Sequence, residues 1–548
     1  SQTTNIGNML LTNVMQKILV NTPFMQQLVA DFFHTQAGKA LLNSQNQIKI
    51  EAPETNVVGE QELFIHSANK TVVNSQGTME MRGEQGMHEL NTAKEYETVK
   101  EEIGTKVCVQ FRTSKSYSGE FGFDWVRFAD SNRAGDIEDN RYDKIIGSCE
   151  GEGDNFKQET NKYNQFLSEY KQQYIIPWKK KEAEATKAAT LNTGTNDGKE
   201  STDYLYVVPV MTLKNGNSAD LELNIDVHEK AVSLEYEYDE KLFTLDKKVA
   251  NILDKGFHKK GDTLNIKCIQ EFSEDKEIRL YAYDKKKEKS LSGKLIIKAN
   301  DKKHCYALNV VLVRVKTCIA GDIISYPSEN SSRKEMLERY FSQCYIEANI
   351  KECDLDLTTQ LRKKTFLAYT KGGYLIESKI DDQTLFTYLI NELRNDPKTK
   401  QYTDYYKLFC IDEEVEKKTL NGQARDISKK EAIILKNGLD KETIVHELFH
   451  CLGLYHSFSL KNKYTFEKYK TDNIMDYQKK NSSTSQESTV QNKTDIPKTS
   501  VSIPRVATWQ FQWYIIHKDL KTLHQVNEEK KITRKKELMK KSINKKNI

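Results

Sequence analysis

No apolar run in this 548-residue chain approaches the ~20 residues that a membrane-spanning helix needs, so the sequence predicts no transmembrane segment. The N-terminal stretch SQTTNIGNMLLTNVMQKILVNTPFMQQLVADFF is apolar only in patches. It lacks a basic leading region and is interrupted by Asn, Gln, Lys and Asp, so no Sec-type signal peptide is expected there. The nine cysteines form no CxxC pair and leave at least one unpaired, which argues against a disulfide scaffold. Charge of one sign is also missing. With 83 Lys and Arg against 79 Asp and Glu, the formal charge of +4 makes no field that would gather nucleic acid or a membrane surface, and no nucleic-acid partner is expected. Histidine is scarce too, 11 in all, yet three fall in the stretch HELFHCLGLYH, at 446, 450 and 456.

With 37% hydrophobic and 30% charged residues, a chain this long builds several modest cores and not one. Residues 1–44 read as amphipathic helix. Short i, i+2 alternations follow at Ile48 and Ile50, Leu63 and Ile65, and Met79 and Met81, with polar turns between them. Strands this short cannot bury both faces within one chain, so residues 1–90 predict a helical segment and then a solenoid or an intertwined oligomer. Residues 91–200 read as a β-rich connector and a charged, then Thr-, Gly- and Asn-rich, linker. Residues 201–300 give about seven alternating strands at regular spacing, the pattern of an immunoglobulin-like sandwich.

From 301 to 526 the texture is mixed. YALNVVLVRV is a buried strand, SSRKEMLERYFSQCYIEA an amphipathic helix capped by Ser331 or Ser332, and TLFTYLINELRND a second helix; YKLFCID and EAIIL are further strands. Residues 527–548 form a basic tail. The fold class expected is multidomain, with a β-rich N-terminal half ahead of an α/β (α+β) C-terminal domain.

TIVHELFHCL has helical periodicity, with Asp440 as N-cap and Glu442 in the first turn. His446 and His450 then stand one turn apart on one face, within reach of a single metal ion, and Glu447 lies beside that ion without binding it. Gly453 falls where the helix should end. A positive φ there turns the chain and returns His456 as a third ligand, which accounts for the second interval of six. Three neutral imidazoles leave a fourth position on Zn2+ for water, as hydrolysis requires. Cys451 is expected as a small buried residue.

HExxHxxGxxH is the signature of the metzincin metalloproteases, and DNIMDY supplies at Met475 the methionine turn that this family also carries. The resemblance spans about 302–526. It implies a zinc endopeptidase acting on protein or peptide substrates, with His446, His450 and His456 as ligands, Glu447 as general base and Met475 as a hydrophobic floor. It also implies that EAIIL is the strand at the cleft edge that binds substrate in extended form, through Ala432, Ile433 and Ile434. Ser457 after the third histidine resembles matrixins, whereas Tyr477 resembles the astacin and serralysin tyrosine that binds either the metal or the oxyanion. The cysteine switch of matrixins is not recognisable.

Residues 45–147, including RTSKSYSGEFGFDWVRFADSNRAGD, resemble the C-terminal needle region of VgrG-type type VI secretion spikes from Bacteroidetes. The likeness implies a homotrimer joined through the needle-like region, a secretion-tip partner, and an effector or toxin exported by a contractile machine without a Sec signal. Two other readings stand beside it: a structural tip protein whose protease domain is inactive or secondary, and an extracellular metalloprotease with β-sandwich binding modules.

Overall fold

The computed structural model describes residues 97–98, 105–180, 203–416, 420–478 and 502–532. The helix and needle-like strands expected over 1–90, most of the linker before 203, residues 479–501 after the methionine turn and most of the basic tail lie outside the described residues. Among the described residues no helix is long and apolar enough to cross a membrane.

Alternating apolar residues between 105 and 297 fold into two sheets packed face to face. One has strand order Ser233–Glu237, Lys276–Tyr283, Lys289–Ile297, Val210–Thr212, Gly122–Asp124; the other has Phe243–Leu245, Gly256–Cys268, Ser218–Val227, Val107–Thr113. Inward side chains of both, among them Val109, Phe111, Leu223, Ile225, Ile266, Leu280 and Ile297, share one buried core, as a sandwich requires. Strands run across the boundary expected near 200. Val107–Thr113 pairs antiparallel with Ser218–Val227, and Gly122–Asp124 with Val210–Thr212, so residues expected in the connector supply one strand to each sheet.

The C-terminal region is built on a mixed sheet. Ile346–Asp356, Tyr306–Ala320, Tyr406–Ile411 and Glu431–Leu435 are parallel neighbours in that order, and Gly422–Ala424 adds an antiparallel outer strand. Strand alternation divides the core in two. Leu408, Cys410, Ala432 and Ile434 face the helices Ser331–Gln343 and Thr443–Cys451, whereas Phe409, Ile411, Ile433 and Leu435 face Thr384–Asn395. The cap of Ser331–Gln343 is Asn330, not Ser331 or Ser332: its extended backbone lets the side-chain oxygen accept the Ser332 N–H at 3.0 Å.

A further apolar cluster ties the two halves together. Tyr142, Ile145, Ile146, Tyr163 and Phe166 pack with Tyr464, Phe466, Trp509 and Phe511, and the hairpin Ile146–Glu150 and Asp154–Gln158 extends into Thr465–Phe466 by antiparallel pairing.

Candidate metal centre

The active-site helix runs from Thr443 to Cys451 and is buried throughout. It starts later than Asp440, whose carboxylate is held outside by Arg333 at 3.0 Å and by the Asn330 amide at 2.9 Å. Its C-terminus closes as a Schellman motif. The Leu454 N–H donates to Phe449 O and the Gly453 N–H to His450 O, both at 3.0 Å, with Gly453 at φ +100°. The chain therefore reverses where the sequence places glycine, and His456 comes back to the helix.

The three imidazoles converge. His450 Nε2 lies 3.2 Å from His446 Nε2 and 3.1 Å from His456 Nε2. Each Nδ1 faces outward to an acceptor: His446 to Ile474 O at 2.8 Å, His450 to Leu454 O at 2.6 Å and His456 to the Glu152 carboxylate at 3.4 Å. With the proton on Nδ1, three Nε2 lone pairs point at one another, an arrangement that a cation relieves. Zinc held tetrahedrally at about 2.0–2.1 Å from each nitrogen needs them about 3.3 Å apart, close to the spacing present. Burial keeps the imidazoles neutral, reinforced by the neighbouring rings at His446 and His450 and by the Lys468 charge at His456: His450 is pushed down to about 3, His456 to about 4, and His446 well below its ordinary value. The residues present fit the metal.

Glu447 lies beside the triad, 8% exposed, and its Oε2 accepts the Ala424 N–H at 2.7 Å. Burial pushes its carboxyl up to about 7. Gly422 sits so close that a Cβ there would come within 2.9 Å of Thr443 Cγ2 and 3.2 Å of Glu447 Cγ, so the outer strand and the helix approach through a residue without a side chain. Met475 is fully buried beneath the site, and its carbonyl accepts the Ser457 N–H at 3.0 Å, joining the methionine turn to the loop of the third histidine. Cys451 is buried, with its thiol on the Glu431 carbonyl at 3.4 Å. Tyr477 is 38% exposed, its ring edge-on to His456 at 4.7 Å and to Phe458 at 5.1 Å. Burial, the larger cause, and the Glu447 charge push its hydroxyl up to about 12, so it is protonated at neutral pH.

The strand expected at the cleft edge is elsewhere. Glu431–Leu435 has partners on both sides, and Ala432, Ile433 and Ile434 are 0% exposed, so neither their backbone nor their side chains are open to a substrate. Gly422–Ala424 is the outer strand. Sequence reading passed over it because GQA is three residues long and carries no apolar alternation. It also passed over Glu152, which reaches His456 from the turn of the upstream hairpin.

Residues 421–547 match the model of the astacin family of peptidases. Among solved structures, metalloproteinase-II from Bacteroides fragilis is similar at 12% identity over 49% of this chain and 83% of that one, with a TM-score of 0.21. Fibronectin(III)-like modules of CbhA from Clostridium thermocellum are similar at 11% identity over 16% of this chain and 85% of that one, with a TM-score of 0.10. No curated protein matches the chain. The structural likenesses are too slight to carry an argument, but the family match begins at the outer strand and runs through all three histidines, Glu447 and Met475. It assigns the converging nitrogens to zinc, and the chain is accordingly a zinc metalloendopeptidase whose residues 421–547 are similar to the astacins.

Proposed function

We propose that this chain cleaves peptide bonds with Glu447 as general base and Tyr477 as a donor to the developing oxyanion. The observation that carries the reading is the placement of Glu447: next to His446, outside the converging nitrogens, and fixed through one oxygen by the Ala424 N–H. Bound at His446, His450 and His456, zinc supplies the Lewis acidity that polarises a carbonyl and lowers the pKa of water. Glu447 takes the proton of the attacking water on its second oxygen and delivers it to the leaving amine.

Substrate lies along Gly422–Ala424. The hydrogen bonds at Asn421 and Arg425 to Glu431–Leu435 leave the backbone groups of Gly422 and Ala424 turned away from that strand. The Ala424 N–H already holds Glu447, which leaves the Gly422 N–H and the two carbonyls for an extended peptide. The Tyr477 ring lies 4.7 Å from that of His456 and is 38% exposed. Tyr477→Phe is expected to lower kcat by about 10²-fold with zinc content unchanged. Wild-type turnover in that variant would leave the ring only its packing on Phe458, and loss of zinc would make it a ligand.

For context we propose export by a contractile, type VI secretion machine, as an effector or toxin on a trimeric spike. The support is the likeness of residues 45–147 to VgrG-type needles. The expected result is release of the chain that ceases when the contractile apparatus is inactivated, and a full-length mass of three chains. Equal release without the apparatus, from a monomer, would favour an extracellular metalloprotease with β-sandwich binding modules.

A further inference from the structure

We propose that Arg127 is a positioning residue for the metal centre, acting through Asp472, and that the stretch from Arg112 to Asp136 is a brace for the methionine turn. Arg127 Nη2 reaches both carboxylate oxygens of Asp472, at 3.0 and 3.2 Å, and both side chains are buried to within 1% of completely. The guanidinium carbon lies over the Trp125 ring, 3.3 Å from its centre, and Nη1 donates to Trp125 O at 2.5 Å. Arg133 adds a second positive group 3.5 Å from Asp472. Holding the Trp125 carbonyl with one nitrogen and Asp472 with another, over an aromatic ring, fixes direction as well as charge, which the single ammonium of a lysine cannot do.

The loop that carries these arginines is tied down on its own account. The Asp136 carboxylate accepts the N–H groups of Ala129 and Ser131 at 2.7 and 2.8 Å, and Arg112, in the sandwich strand Val107–Thr113, holds Asp130 at 2.8 Å. It is also shaped to receive Asp472: a Cβ on Gly135 would stand 2.6 Å from Asp472 Cβ, closer than atoms of this kind approach. From Asp472 the path to the metal is short. Its carbonyl accepts the N–H groups of Val506 and Ala507, the Ile474 N–H donates to Ala507 O at 2.9 Å, and the Ile474 carbonyl takes the His446 Nδ1 proton at 2.8 Å. The carbonyl that sets the direction of the first zinc ligand therefore lies two residues from a carboxylate anchored in the upstream half. Outer partners of this kind tune metal affinity about 10–100-fold.

The test uses the full chain with Arg127→Lys and, separately, Gly135→Ala, neither of which touches the histidines or Glu447. Zinc affinity by chelator competition and the visible spectrum of the cobalt(II)-substituted protein are read beside thermal unfolding. The expected result is folded protein that holds zinc about 10-fold or more weakly, with a changed cobalt spectrum and a fall in kcat at nearly constant KM. Zinc affinity and cobalt spectrum equal to wild type, with only the unfolding temperature lowered, would reduce Arg127 to a purely structural residue and overturn the proposal. If Arg127→Lys does not fold, Gly135→Ala carries the test alone. The proposal rests on the triad holding zinc and not on the role of Glu447, so an inactive but zinc-replete wild type would count against the catalytic reading and leave this one standing.

Discussion

Replacing Glu447 by Ala is expected to lower cleavage of an unstructured protein such as casein by about 10²–10⁴-fold while the chain keeps about one zinc. The two effects separate because the Glu447 carboxylate makes its hydrogen bond to Ala424 and is not among the nitrogens that converge at 3.1 and 3.2 Å. Alanine also leaves the Ala424 N–H without its acceptor, at about 1–3 kcal/mol, so Glu447→Gln is the matched control: it keeps an acceptor oxygen and removes the base. His450→Ala gives the opposite pattern and releases the metal. Zinc analysis beside a cleavage assay reads both, and full activity in either Glu447 variant would sink the mechanism.

A fragment starting at residue 301, where the sequence alone places the start of the catalytic domain, is expected to be insoluble or loosely packed and to bind no zinc. Cutting there strips Tyr142, Ile145, Ile146, Tyr163 and Phe166 from the cluster around Tyr464, Phe466, Trp509 and Phe511, exposing four aromatic rings. It also removes Ile146–Glu150, the central strand of the small sheet in which Thr465–Phe466 is an edge. Asp472 then loses both arginines, and a buried charge without its partner costs about 3–5 kcal/mol, a large part of a total stability of about 5–15 kcal/mol. Near-ultraviolet circular dichroism and gel filtration of 301–548 beside 97–548 would decide it. A compact, zinc-binding 301–548 fragment would show that the upstream half is dispensable.

What could be read from the sequence was whatever is local in the chain. His446, Glu447, His450, Gly453 and His456 fall within three helical turns, so periodicity and one glycine were enough to place them, and Met475 followed from a short motif. The sandwich could be read from alternation, but not its full membership: Val107–Thr113 falls in what reads only as a β-rich connector, and its partner Ser218–Val227 lies more than a hundred residues on. The choice of cleft strand went wrong for an instructive reason. EAIIL lies before the helix, where the resemblance places the cleft edge, but an apolar run on both faces marks an interior strand, whereas the outer strand GQA owes its conformation to its neighbour and not to its own residues. Arg127 and Asp472 each look like ordinary surface charges in the sequence, since only the fold reveals that they are buried against each other.

Separation along the chain also sets an order in time. Arg127 precedes Asp472 by 345 residues, and Ile297, which completes the sandwich, precedes it by 175 (472 − 297). At roughly 5–20 residues per second, ribosomal synthesis gives the upstream half about 9–35 s to fold before Asp472 is made. The histidine helix and the turn beneath it thus emerge after every strand of the sandwich has been made. A chain refolded from denaturant has no such head start and must close the same contact across hundreds of unfolded residues, so the route from the ribosome and the route from denaturant reach this metal centre by different sequences of events.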